Sequence, residues 1–191
     1  MEVKGAALLY TLAGLMVTFA GFSALLLSVR QAAGAKLSLL DRYLAKTVMT
    51  HIFVLMVGAL LPPLFALYGI QEQWIWRGSA VLFGLPMLSL QATYPRRRRK
   101  VIGNGPPFAI FAVFVVLGSA VTLAMLGYVL LDLSYSDAVY ITALTIDFFT
   151  VAFAFLTALD VIMQQPMEES GEPAPTSERA MPRAGDMGTG K

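Results

Sequence analysis

The chain of 191 residues contains no cysteine and unusually few charged residues. Without thiols it can form no disulfide, iron–sulfur cluster or thiolate zinc site, and it has no cysteine nucleophile. Charged residues make up 14% of the sequence, whereas an ordinary soluble domain has about 25%. Hydrophobic residues make up 57%, which exceeds the roughly 45–50% of soluble domains. This composition favours a membrane protein over a soluble one.

The charged residues lie between long segments that have none. Lys, Arg, Asp and Glu are absent from residues 5–29, 47–71, 78–95 and 101–131. Each segment reaches the roughly 17–25 residues that a helix needs to cross a hydrocarbon core of about 30 Å. We therefore predict an all-α integral membrane bundle. Its five transmembrane helices are placed at roughly residues 5–29, 47–70, 74–94, 107–131 and 138–163.

The first predicted span has a second interpretation as a signal peptide, because residues 32–35 are small enough for a cleavage site. Its apolar run is longer than the about 7–15 residues of a signal peptide, and residues 1–4 are not a basic leader. We therefore expect a retained span. In the connection that follows, Ser38 and Asp41 have the spacing of a capping box, so the second helix is expected to begin near Ser38 and to run along the interface before it enters the membrane.

Positive charges indicate the orientation, since Lys and Arg are enriched on the cytoplasmic side of membrane proteins. Two connections, residues 30–46 and 95–106, hold most of them. These topology determinants are Arg30, Lys36, Arg42, Lys46, Arg96, Arg97, Arg98, Arg99 and Lys100. We predict that both connections are cytoplasmic and that the N-terminus is outside and the C-terminus inside. There the basic residues would contact anionic lipid headgroups, and a specific nucleic-acid site is not expected.

Composition changes abruptly after Met163. Residues 164–191 are rich in proline, glycine and acidic residues and contain no aromatic residue. Such a segment cannot bury enough apolar surface to offset its ordering entropy. We therefore predict a transmembrane domain over residues 1–163, followed by a disordered cytoplasmic tail over residues 164–191.

Asp147 is the strongest candidate for a functional residue, because it lies nine residues into the fifth predicted helix and near the bilayer midplane. A carboxylate at that depth costs about 2.5–3.5 kcal/mol on insertion scales and indicates a functional site by default. At 100° per residue, it shares a face with small and polar residues, namely Tyr140, Ala143, Thr150, Ala154, Thr157 and Ala158. The bulkier residues are expected to face lipid: Ile141, Leu144, Phe148, Val151 and Phe155. Asp147 is then either a protonatable or ion-binding group, or a neutral group that is hydrogen-bonded inside the bundle.

Two further residues complete the candidate polar site. Thr150 lies on the same predicted face as Asp147 and offers a hydroxyl. Arg77 lies about one turn into the third predicted helix, where its long side chain either reaches Asp147 or snorkels outward beside Trp74 and Trp76.

Prolines interrupt two of the predicted spans. Pro62 and Pro63 fall in the second helix, and Pro86 falls in the third. Each removes a backbone donor and frees the carbonyl four residues earlier. The freed carbonyls either help to build a substrate site or accompany a structural kink.

Catalytic and metal-binding patterns are missing from the sequence. His51 is its single histidine, so neither a HExxH zinc site nor a bis-histidine haem site can form. The sequence also has no Gly-x-Ser-x-Gly elbow. We expect no catalytic residue, no metal and no cofactor, and therefore no enzyme.

The first hundred residues resemble small multi-span membrane proteins of bacteria. The segment of residues 30–41, Arg-Gln-Ala-Ala-Gly-Ala-Lys-Leu-Ser-Leu-Leu-Asp, and the segment of residues 58–63, Gly-Ala-Leu-Leu-Pro-Pro, carry the resemblance. It implies a location in the bacterial inner membrane and no particular activity.

Two classes of function remain at this point. The first is a non-enzymatic partner or regulatory component of a membrane assembly, which includes a homo-oligomer. The second is a small transporter or channel subunit that uses Asp147 as an intramembrane proton or ion site. A polar cavity that converges on Asp147 would favour transport, whereas a dry bundle with Asp147 capped by a hydroxyl would favour the first class.

Overall fold

A computed structural model describes residues 4–32, 39–104, 108–131 and 135–163. Over these ranges the chain is helical and contains no strand. The first three helices are α1 (Ala6–Ala32), α2 (Leu39–Leu67) and α3 (Glu72–Ile102). A fourth helix follows without a break from α4 (Phe108–Ile110) through a π-helical segment (Phe111–Leu117) into α5 (Gly118–Leu130), and the last is α6 (Ser136–Met163). Ser38, Lys36 and the predicted tail lie outside the described residues.

Four helices of the described chain are long and apolar enough to cross a membrane. They are Ala6–Ala32, Arg42–Leu67, Phe111–Leu130 and Ser136–Thr157. The third predicted span is not among them, because α3 is less apolar: it carries Arg77, the amide of Gln91 and several small polar residues. An all-helical protein with four apolar helices of spanning length is therefore established.

The basic run belongs to a helix rather than to the loop that the sequence predicts. α3 continues through Pro95 to Ile102 and is capped by Gly103. Gly103 adopts a φ of 81°, and its N–H donates a 3.0 Å hydrogen bond to the carbonyl of Arg99. A left-handed glycine is the usual end of a helix because it has no Cβ to clash. The arginines therefore have fixed helical spacing, which decides which of them point toward α2.

The helices α2 and α3 run antiparallel to each other. The hydroxyl of Tyr43 in α2 donates to the carbonyl of Tyr94 in α3 at 3.3 Å, while Gly78 at the other end of α3 lies against the ring of Phe65. Since α2 begins where α3 ends, the basic residues of the two helices lie at the same end of the bundle. The described basic residues of α2 and α3 therefore lie on one side of the bundle.

Proline in α2 is matched by a partner on α6. Pro62 has no N–H, so the carbonyl of Gly58 loses its helical donor. The hydroxyl of Tyr140 donates to this carbonyl at 2.8 Å, and both groups are buried. This bond fixes α6 against α2.

The buried surface of α6 is wider than the sequence pattern predicts. The predicted inner residues Tyr140, Ala143, Asp147 and Thr150 are buried. The prediction that Leu144, Val151 and Phe155 face lipid is wrong, since these side chains are buried as well. The reason is that α6 packs against α1, α2, α3 and the fourth helix together, so that its lipid-facing side is reduced to a narrow stripe that includes Phe149, Phe153 and Leu156.

The fourth helix contains π-helical turns over Phe111–Leu117, where a regular helix is predicted. A π-helical turn takes an additional residue and so changes which side chains face inward. Phe114 is the buried residue of this segment. Its ring centroid lies 4.7 Å from that of His51 and 5.2 Å from that of Tyr94, so the π-helical segment brings an aromatic ring against both α2 and α3.

Candidate functional site

Asp147 lies at the centre of the bundle with a fully buried side chain. The hydroxyl oxygen of Thr122 in α5 is 2.9 Å from its Oδ2. The amide Nε2 of Gln91 in α3 is 3.4 Å from its Oδ1, a long hydrogen bond. A carboxyl group in α6 thus joins three helices through two neutral polar side chains, both of which are themselves completely buried.

The Thr122 hydroxyl has two oxygen neighbours. It lies 2.9 Å from Oδ2 of Asp147 and 2.9 Å from the backbone carbonyl of Gly118. A hydroxyl has one hydrogen to donate. This hydrogen is shared between two acceptors, Oδ2 of Asp147 and the carbonyl of Gly118. Thr122 therefore links the carboxyl group of α6 to the backbone of α5.

The absence of a side chain at Gly118 leaves space for the hydrogen bond between Gln91 and Asp147. A Cβ at this position would lie 2.6 Å from Nε2 of Gln91 and 3.5 Å from Oδ1 of Asp147. The first distance is too short for any real contact, so a larger residue would displace the amide from the carboxyl group. The close packing of α5 against α3 and α6 therefore depends on a glycine at position 118.

The two predicted partners of Asp147 contact other groups. The Thr150 hydroxyl donates to the backbone carbonyl of Asp147 at 2.8 Å rather than to its carboxyl group. Arg77 lies at the opposite end of α3, and its guanidinium carbon is 5.6 Å from the ring centroid of Trp74. Gln91, which does reach Asp147, is fourteen positions further along α3, or about 21 Å at 1.5 Å per residue. Arg77 and Asp147 are therefore not brought together.

The topology determinants divide into separate groups. Arg42, Lys46, Arg97 and Lys100 line a groove between the start of α2 and the end of α3. Arg96 and Arg99 are exposed and lie outside its lining. Nη1 of Arg98 donates to the hydroxyl of Tyr94 at 3.4 Å. Arg30 ends α1.

His51 lies at the bottom of this groove and is 2% exposed. Its Nδ1 is 2.7 Å from the carbonyl of Thr47, one turn earlier. A carbonyl accepts a hydrogen bond, so Nδ1 carries the hydrogen and Nε2 is an acceptor. Nε2 has no hydrogen-bond partner within the described part of the protein. The ring also borders a small internal cavity of about 20 Å³ that extends to Val151 and Ala154 of α6.

The chemistry available to the described residues is limited. They contain no group of three His, Cys, Asp or Glu side chains that could hold a metal ion. Asp147 lines neither the groove, nor the small cavity beside His51, nor the polar cleft of about 550 Å³ at the opposite end of the bundle. The carboxyl group of Asp147 therefore borders none of these three spaces, and its hydrogen bonds are made to Thr122 and Gln91.

Sequence reasoning missed the residues that contact Asp147. Gln91 has a visible signal, since it is the single amide side chain in the uncharged segment of residues 78–95. Thr122 has no comparable signal, since it is one of several threonines in the apolar segments. Which of the many threonines meets Asp147 depends on the relative height of α5 and α6, and this is a tertiary property.

Comparison of the chain with protein-family models, with curated proteins and with solved structures finds no match in any of the three. The candidate site is therefore interpreted from its own geometry and chemistry.

Proposed function

We propose that the chain is a non-enzymatic component of a membrane assembly, in which it acts as a structural or regulatory partner. One observation carries this proposal: the single carboxyl group at the centre of the bundle is bonded to Thr122 and Gln91. Through these two contacts the carboxyl group of Asp147 holds α3, α5 and α6 against one another. A hydroxyl-capped aspartate inside a packed bundle is the arrangement expected of a structural group.

The proposal includes a membrane topology. We infer five spans, with α3 as the central and least apolar one, an outside N-terminus, an inside C-terminus and a location in the bacterial inner membrane. The common end of the bundle shared by Arg42, Lys46, Arg97 and Lys100 supports this orientation, because basic residues accumulate on the cytoplasmic side. The many neighbours of α3 support its position inside a bundle, where the amide of Gln91 is buried away from lipid.

Accessibility labelling tests this topology. Single cysteines can be introduced in a chain that has none of its own, at Gln73 and at Asn104. We expect an impermeant thiol reagent added to intact spheroplasts to label the first variant and to label the second only after lysis. The reverse pattern would contradict the orientation, and labelling of both in intact spheroplasts would contradict a spanning α3.

A flux assay separates the structural proposal from the alternative. Purified protein in proteoliposomes is subjected to a pH gradient, and the decay of the gradient is measured with an internal dye. We expect wild type and Asp147→Asn to decay at the rate of protein-free vesicles. A wild-type flux that Asp147→Asn abolishes, while folding is preserved, would contradict the structural role and establish the alternative.

The assembly itself is tested by photocrosslinking in intact membranes. A photoreactive residue at Phe149, which is 64% exposed and lies in the middle of α6, is expected to give an adduct of one defined mass, from a second copy or from another membrane protein. The same residue at Tyr140, which is buried, is the control and should give no intermolecular adduct. Adducts with lipid alone at exposed positions on every helix would contradict the proposal.

The second candidate function is a small transporter or channel subunit with Asp147 on its path. It rests on one observation: Oε1 of Gln91, beside the carboxyl group, has no hydrogen-bond partner among the described residues. An unsatisfied acceptor beside a buried acid is a place where a water molecule or a cation can bind. The flux assay described above decides between the two functions.

A further inference from the structure

The proposed function assigns no role to the groove between α2 and α3. The groove has a volume of about 430 Å³ and opens at the basic end of the bundle. Four cationic side chains line it, two from each helix: Arg42 and Lys46 from α2, and Arg97 and Lys100 from α3. None of the described side chains in its lining is acidic. The groove therefore attracts an anion.

The walls of the same groove are apolar. Leu39 and Val101 line its outer part, and Leu90 and the ring of Tyr94 line its deeper part. Tyr43 and Tyr94 stack with their ring centroids 6.2 Å apart, and Tyr43 donates to the backbone of α3. These bonds hold the two helices at a fixed separation. A ligand that fills the groove must therefore have an apolar part below a negatively charged head.

The position of the groove matches the boundary of the membrane. The uncharged run of α2 begins at Thr47, inside a candidate span that begins at Arg42. Lys46 lies one turn deeper on the same helix, and His51 at the bottom of the groove lies a further five residues along, about 7.5 Å at 1.5 Å per residue. The charges thus lie at the depth of lipid headgroups, and the deeper walls formed by Leu90 and Tyr94 lie at the depth of acyl chains.

We propose that this groove is a binding site for one anionic phospholipid, with its phosphate held among Arg42, Lys46, Arg97 and Lys100 and an acyl chain along Leu90 and Tyr94. The inference goes beyond the proposed function, since it assigns a ligand to a surface that the assembly does not require. A free phosphate would use the same cations but would leave the apolar walls without a partner. The acidic tail of the chain offers carboxylates but almost no aliphatic residue to cover those walls.

The helical spacing of the basic run supplies a matched pair of variants. Arg97→Gln/Lys100→Gln removes two charges from the groove, whereas Arg96→Gln/Arg99→Gln removes two charges from the exposed side of the same turns. Both pairs are separated by three residues and change the net charge equally. General attraction between a basic surface and an acidic membrane would therefore weaken by the same amount in both.

Binding is measured by native mass spectrometry of the full-length protein in neutral detergent, titrated with phosphatidylglycerol. Phosphatidylcholine with the same acyl chains and inorganic phosphate serve as separate ligands. We expect one phosphatidylglycerol to bind with saturation. The affinity should fall roughly 30-fold in Arg97→Gln/Lys100→Gln, since each cation near an anionic lipid contributes a factor of several. It should fall less than about threefold in Arg96→Gln/Arg99→Gln.

A third variant keeps all the charges and blocks the groove. Val101 lines the opening and is 44% exposed, so Val101→Trp is expected to fold and to prevent lipid entry, which lowers the affinity for phosphatidylglycerol at least tenfold. Equal losses in the two charge pairs would overturn the proposal, because they indicate diffuse attraction or a groove filled by the tail. Full binding by Val101→Trp, or displacement of the lipid by millimolar phosphate, would overturn it as well.

Discussion

The hydroxyl of Tyr140 in α6 donates a 2.8 Å hydrogen bond to the backbone carbonyl of Gly58 in α2. This carbonyl has no helical donor, because the residue four positions later is Pro62. A buried carbonyl without a partner is costly in an apolar environment. The Tyr140 hydroxyl therefore supplies the hydrogen bond that the Gly58 carbonyl loses because of Pro62. The same bond fixes the position of α6 along α2.

A double-mutant cycle measures this compensation. We expect Tyr140→Phe to lower the free energy of unfolding by about 1–3 kcal/mol, because it leaves the Gly58 carbonyl buried and unpaired. In the background of Pro62→Ala, the new N–H of residue 62 can bond to Gly58, so the same substitution should cost less than about 1 kcal/mol. Equilibrium unfolding in mixed micelles gives all four values. Equal costs in the two backgrounds would show that the carbonyl does not depend on Tyr140.

Two threonines in the bundle are predicted to differ in importance. Thr122→Val removes the hydroxyl that connects Asp147 to Gly118, and we expect it to lower the free energy of unfolding by about 1–3 kcal/mol. Thr150→Val is the matched control, since it removes only a bond to the carbonyl of its own helix, and such bonds contribute little. It should cost less than about 0.5 kcal/mol. A greater loss in Thr150→Val would contradict the assignment of Thr122 as the partner.

Asp147 itself is predicted to tolerate an amide better than an aliphatic side chain. An asparagine at this position can donate to Thr122 and accept from Gln91, so Asp147→Asn should change the free energy of unfolding by less than about 1 kcal/mol. Asp147→Leu leaves the Gln91 amide without its partner and should cost about 1–3 kcal/mol. Abundance in membranes and unfolding in micelles check both values. A loss as large in the asparagine variant as in the leucine variant would indicate that a charged carboxylate is required.

Glycine at position 118 is predicted to be essential to the packing of α5. Gly118→Ala places a methyl group 2.6 Å from Nε2 of Gln91 and is expected to cost about 1–3 kcal/mol by overpacking. Gly127→Ala in the same helix meets no atom within 4 Å. That control should be neutral or stabilising by up to about 1 kcal/mol, since alanine is the better helix former. Melting temperatures of the two variants in one detergent compare them directly, and a destabilised control would show that the helix rather than the contact is sensitive.

Much of the fold could be predicted because it follows from local properties of the sequence. Four uncharged segments and the largely apolar segment of residues 138–163 indicated the approximate positions of the long helices, because apolar runs of this length are typical of membrane-spanning helices. The inward position of Asp147 follows from helical periodicity. The end of α3 did not follow, because Pro95 and the arginines resemble a loop, whereas the left-handed Gly103 ends the helix only after them.

The candidate site was predicted only in part. A carboxyl group in the middle of an apolar helix must find a partner, and the sequence therefore identified Asp147. The sequence did not identify the partners of this carboxyl group. Arg77 and Thr150 were the expected partners, but Arg77 lies beside Trp74 and Thr150 donates to a backbone carbonyl. Gln91 and Thr122 contact Asp147 through the relative heights of three helices, which no spacing within one helix records.

The sequence by itself determined that this is an all-helical protein with apolar helices of spanning length, and that one acidic residue lies deep among them. Both facts are set by hydrophobicity and by the cost of charge in an apolar medium, which act on each segment separately. Only the tertiary structure decided that Tyr140 donates to the carbonyl left unpaired by Pro62, that Thr122 and Gln91 bond to Asp147, and that two residues of the basic run line a groove. These contacts depend on how far each helix slides and turns against the next, and close packing of the whole bundle fixes that choice.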